Sequence, residues 1–95
     1  MELDEVLDAL NRVASLVNKA CRLPCMKRIC PRLYQTLSEL PPPENDSASL
    51  YTAMLTGVLE AAYQDALENN CVRGASLLLA ALRILREVSE AGQEP

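Results

Sequence analysis

Apolar residues recur along most of this chain at the spacing of an amphipathic α-helix. In the first segment the apolar side of the helical wheel carries Leu3, Val6, Leu7, Leu10, Val13, Leu16, Val17 and Ala20. Acidic residues occupy the first turns and basic residues the last turn, which complements the helix dipole. The pattern predicts a first helix over residues 3–22.

Prolines divide the next segment. Pro24 ends the first helix, but the apolar spacing continues from Met26 to Leu40, with Pro31 on the polar side. A proline inside a helix removes a hydrogen bond and costs about 3 kcal/mol. The second helix is therefore predicted either to kink near residue 30 or to restart there. We predict a helix over 31–40 with a preceding turn, followed by a proline linker over 41–46.

A third helix is predicted over 47–69. Asn45, Asp46 and Ser47 are favourable N-cap residues. Gly57 lies in the middle of this helix and costs about 1 kcal/mol relative to alanine, unless another backbone packs against it. The expected apolar face consists of Tyr51, Met54, Leu55, Val58, Leu59, Ala61, Ala62 and Ala66, opposed by Thr52, Thr56, Glu60, Gln64 and Glu68.

The third helix is expected to end at Asn69 and Asn70, because asparagine tolerates the left-handed conformation that terminates helices. A fourth helix is predicted over 72–90, and residues 91–95 are expected to form a frayed tail. This helix is the most apolar segment, and even its narrow polar stripe contains Leu79. It is either the central helix of a bundle or part of a surface covered by another chain. The candidate interface residues are Leu78, Leu79, Leu82, Arg83 and Arg86.

Together these segments predict a single all-α domain over residues 1–95, a small four-helix up-and-down bundle. Three tyrosines are the only aromatic residues, so we expect an aliphatic core built by helix packing. A chain of 95 residues buries a modest share of its surface, so a partner or self-association would add stability.

The composition disfavours catalysis. Histidine, the commonest general base and metal ligand, is absent, and three glycines do not make a phosphate-binding loop. We therefore expect no enzyme, no cofactor and no metal site. The four cysteines are Cys21, Cys25, Cys30 and Cys71, and their spacing contains no C-x2-C pair. Buried free thiols are the main expectation, while disulfides and a metal or redox module are the alternatives.

Charge is segregated along the chain. Residues 12–34 contain bases and no acid, whereas residues 35–72 contain acids and no base. The candidate basic patch consists of Lys19, Arg22, Lys27, Arg28 and Arg32. These bases either bind an acidic partner or anionic membrane, or pair with the acidic half of the same bundle. Nucleic acid is disfavoured as a partner, because the sequence pI is about 4.7 and no aromatic run accompanies the bases.

These observations predict a small intracellular protein-interaction subunit or adaptor that assembles through apolar helix faces, with a protein partner or a second copy. The alternative is a helical bundle that binds anionic membrane or acidic partners through its basic patch. A weaker alternative is a cysteine metal or redox module. The acidic start and the short apolar run over 77–82 indicate neither a signal peptide nor a membrane span. A cytoplasmic or nuclear location, not secretion, is therefore expected.

Overall fold

The computed structural model describes residues 3–44 and 48–91. They form α1 over Leu3–Cys21, α2 over Cys30–Ser38, α3 over Ala48–Glu68 and α4 over Val72–Ala91, with a short 3-10 turn over Pro24–Met26 between α1 and α2. The four helices pack together, and the described part of the chain contains no strand, which confirms the all-α prediction. The predicted N-cap residues 45–47 and the tail over 92–95 lie outside the described residues.

The prolines shape the connection between α1 and α2. Pro24 opens the 3-10 turn, in which the amide of Met26 donates to the carbonyl of Leu23 at 3.0 Å. Pro31 lies in the first turn of α2, where a missing amide hydrogen breaks no intrahelical bond. The Tyr34 hydroxyl then donates to Asn18 Oδ1 at 2.9 Å, which connects α2 to α1.

A tight turn joins α3 to α4. Asn70 has a positive φ of 59°, as expected from its position after the third helix. The amide of Cys71 donates to the carbonyl of Ala66 at 2.8 Å, and the amide of Asn70 donates to Leu67 at 3.1 Å. This pair of bonds is the Schellman motif, which satisfies the last carbonyls of a helix. It allows α4 to fold back against α3 after only three residues.

The core face of α3 differs from the predicted one. Thr52, expected on the polar side, is buried, whereas Met54 and Ala61, expected on the apolar side, are exposed. The face that packs inward consists of Ala48, Thr52, Leu55, Leu59, Ala62 and Ala66. Thr52 tolerates burial because its hydroxyl donates to the carbonyl of Ala48 at 2.9 Å. Helix α3 is apolar on two sides, so periodicity alone does not show which side faces the core.

Helix α4 lies at the centre of the packing. It contacts both α1 and α3, and α2 packs against α3. Its buried residues Ala75, Leu78, Ala81 and Leu85 join the core residues of the other helices. Over the described residues, no helix combines the length and the apolar character that crossing a membrane would need.

Candidate functional site

Two disulfides lie at one end of the molecule, where they join neighbouring elements. Cys21, at the end of α1, is bonded to Cys30 at the start of α2, with their Cα atoms 5.8 Å apart. Cys25, in the 3-10 turn, is bonded to Cys71 just before α4, with Cα atoms 5.5 Å apart. The expectation of buried free thiols is wrong, because all four cysteines are bridged. That expectation assumed a reducing compartment, and cysteine spacing did not reveal that helix packing brings Cys71 beside Cys25.

The bridge between Cys25 and Cys71 packs against a glycine near the start of α4. A Cβ built on Gly74 would lie 2.6 Å from the sulfur of Met26 and 2.8 Å from the sulfur of Cys71. Met26 itself is completely buried. Gly74 therefore creates the space in which Met26 and the bridge fit, a role that the sequence pattern did not suggest.

The candidate basic residues surround this bridged end, and we call them the basic corner. Lys19 lies in the last turn of α1 and Arg22 directly follows that helix. Lys27 and Arg28 lie after the 3-10 turn, and Arg32 is in the first turns of α2. All five are exposed. None of them forms an ion pair with an acid of the described residues. Arg32 lines one pocket together with Asp65 of α3, so an acid of the second half of the chain lies near the corner without forming an ion pair with it.

A groove of about 990 Å³ runs along the outer side of α3 and α4. We call it the α3–α4 groove. Helix α3 contributes Ala53, Gly57, Glu60 and Ala61, among others. Helix α4 contributes Leu79, Leu82, Arg83, Arg86 and Glu90. Four of the five candidate interface residues therefore line a single groove.

Leu78 is the exception. Its side chain is completely buried, so its place among the surface candidates is wrong. The reason is geometric, because Leu78 lies on the side of α4 that points towards the core, whereas Leu79 lies one residue further round the helix. Leu79 and Leu82 are half-buried, and Arg83 and Arg86 are exposed.

The groove also carries charges without partners. Glu60 on α3 and Arg83 and Arg86 on α4 all line it, yet none forms an ion pair within the described part of the chain. Gly57 also lines the groove, and a Cβ built there would meet no atom within 4 Å. The open space means that no backbone of the described molecule packs against Gly57, so its cost of about 1 kcal/mol is not recovered inside one copy.

The described residues offer surfaces for binding. Thr52 is the only polar or charged side chain among them that is buried, and its hydroxyl bonds to the backbone. Among residues 3–44 and 48–91 no group of three or more cysteine, aspartate or glutamate residues is placed to hold a metal ion. The α3–α4 groove and the basic corner together contain nine of the ten candidate residues predicted from the sequence.

Comparison with family models, with curated proteins and with solved structures finds no match to this chain. The functional argument therefore rests on the groove and the corner themselves.

Proposed function

We propose that this protein is a small disulfide-bridged interaction subunit that binds a protein partner through the α3–α4 groove. One observation carries the proposal: Leu79, Leu82, Arg83 and Arg86 line the same groove. The fully buried centre of a protein interface is more apolar than the rest of the surface, and arginine is enriched at interfaces. The four-helix up-and-down arrangement and a kink at the second helix remain predictions within this proposal.

Leu79→Glu tests the proposal. Leu79 is half-buried in the groove, so a carboxylate there should oppose the apolar contact with a partner while α4 stays helical. We expect association, measured by sedimentation of the purified chain alone and mixed with cell extract, to weaken at least tenfold, about 1.4 kcal/mol. Far-UV circular dichroism should not change.

Leu7→Glu is the matched control. Leu7 is 43% exposed on α1 and is not among the residues that line the groove. This variant adds the same charge in place of the same side chain and should associate like the wild type. Equal association of the Leu79→Glu variant and the wild type would contradict the proposal.

A second candidate function uses the basic corner. Five exposed bases without an ion-pair partner in the described chain favour an anionic surface, either acidic protein or anionic lipid. The disulfides support this candidate, because they fix the segments that carry the bases relative to one another.

The predicted cytoplasmic or nuclear location stays a prediction, and the two disulfides weigh against it. Disulfides persist in oxidising compartments and are rare in the cytosol and nucleus. Within the proposal, we therefore infer that the protein acts where these bridges remain oxidised. The metal alternative has no free thiolate available while both bridges are formed.

A further inference from the structure

Helix α3 carries an apolar face that is largely exposed. Leu50 is 61% exposed and Met54 is 37% exposed, and the exposed residues Ala53, Gly57 and Ala61 continue the same side of the helix. This outer face points away from the core face of α3. Its small residues Ala53, Gly57 and Ala61 also line the α3–α4 groove.

Gly57 lies in the middle of the outer face. A Cβ at this position would meet nothing within 4 Å, so packing within one copy gives no reason for a glycine here. Glycine permits the close approach of another backbone. Ala53 and Ala61, the small residues four positions before and after it, leave the same side of the helix open.

The charges beside this face are self-complementary. Glu60 comes from α3 and Arg86 from α4, both line the groove, and neither forms an ion pair among the described residues. A two-fold axis at Gly57 places Ala53 of each copy opposite Ala61 of the other when the two helices cross antiparallel. Glu60 follows Gly57, so an antiparallel crossing places it opposite the N-terminal half of the other copy's α3. Because α4 folds back along α3, the later part of α4, which carries Arg86, lies beside that half. One surface therefore supplies both the acid and the base of each pair.

We propose that the partner in the groove is a second copy of this chain, in a two-fold symmetric dimer whose α3 helices cross antiparallel at Gly57. The inference rests on the proposed function and specifies its partner. A standard interface covers about 800 Å² of each partner. The molecule measures 41 by 24 by 18 Å, so its long side can supply that area.

Gly57→Lys is the first test. The open space around Gly57 accommodates the side chain in a single copy, so circular dichroism and melting should show a folded chain. At the crossing point the same side chain keeps the two helices apart. Sedimentation equilibrium should show the dimer dissociation constant rising at least tenfold. Ser15→Lys, at an exposed position on α1, adds the same charge and should leave the dimer intact.

Exchanging the charges of Glu60 and Arg86 is the second test. It compares two single variants with the double variant, so its outcome does not depend on whether one particular variant folds. Glu60→Arg and Arg86→Glu should each weaken the dimer, because each places like charges across the interface. The double variant restores opposite charges and should recover most of the wild-type dissociation constant. Failure of the double variant to recover any affinity would overturn the antiparallel register.

The failure of this inference can be distinguished from failure of the proposed function. A dissociation constant of about 100 μM corresponds to roughly 5 kcal/mol of binding free energy. A wild-type chain that stays monomeric at this concentration does not form such a dimer. If that monomer still forms a complex with another protein that depends on Leu79, the proposed function stands and only the second copy is excluded. A dimer that Gly57→Lys does not affect also overturns the inference.

Discussion

Two glycines lie inside helices, and their different surroundings give them opposite roles. Gly57 faces open space, whereas Gly74 faces the buried Met26 and the sulfur of Cys71. In a helix, alanine is favoured over glycine by about 1 kcal/mol, provided that its methyl group fits. The surroundings of each glycine therefore determine the sign of the same substitution.

Gly57→Ala should raise the free energy of unfolding of the monomer by about 0.5–1 kcal/mol, since nothing obstructs the new methyl group. Gly74→Ala should lower it by about 1–3 kcal/mol, because the methyl group overlaps Met26 in a filled core. Urea denaturation of both variants at a concentration that excludes association measures the two changes. A stabilising Gly74→Ala would contradict the packing described around Met26.

The chemistry of single residues also explains which positions could be predicted from the sequence and which could not. Asn70 takes the left-handed conformation expected at a helix end, because that preference is local. Thr52 is buried against expectation. Its hydroxyl donates to a carbonyl of its own helix, so burying this polar side chain costs little free energy. Leu78 and Leu79 are adjacent, and only the packing of α4 distinguishes core from surface.

At the scale of elements, helices could be predicted from the sequence and the bridges between them could not. Apolar spacing is local and indicates each helix directly. The pairing of Cys25 with Cys71 depends on the meeting of two elements 46 residues apart. Which helix faces form the groove depends on the same tertiary packing, so only part of the candidate site could be derived in advance.

The two bridges should stabilise the elements unequally. Cys25–Cys71 closes a loop of 46 residues and Cys21–Cys30 a loop of 9. Chain entropy assigns about 4 kcal/mol to the longer loop and about 2.5 kcal/mol to the shorter one. We expect the double variant Cys25→Ser with Cys71→Ser to unfold at lower urea than Cys21→Ser with Cys30→Ser. Both variants unfolding at the same urea concentration would show that loop length does not govern their stability.

At the scale of the whole molecule, the uneven distribution of charge along the chain can be tested by removing charges from the basic corner. The basic corner forms no ion pairs with described acids, so removing its charges should not destabilise the fold. Replacing Lys27, Arg28 and Arg32 with glutamine should leave the melting temperature unchanged. It should abolish binding to vesicles that contain anionic lipid, if this corner is the docking surface. Cosedimentation with vesicles measures the loss, and added salt should weaken wild-type binding.

A second triple variant separates local charge from net charge. Replacing Arg12, Arg73 and Arg83 with glutamine removes the same number of bases from outside the corner. This control should still bind the vesicles. If the corner variant instead melts early and still binds, its bases stabilise the fold and the docking hypothesis for this corner is wrong.

The position of the bridges also determines what a cut in the chain can release. Arg22, Lys27 and Arg28 lie between Cys21 and Cys30, and Arg32 lies between Cys25 and Cys71. A protease that cleaves after any one of these exposed bases therefore leaves both pieces covalently joined. Of the basic corner, only Lys19 lies outside both loops. A trypsin-like protease can therefore cut the basic corner at any one of four positions without releasing either part of the chain.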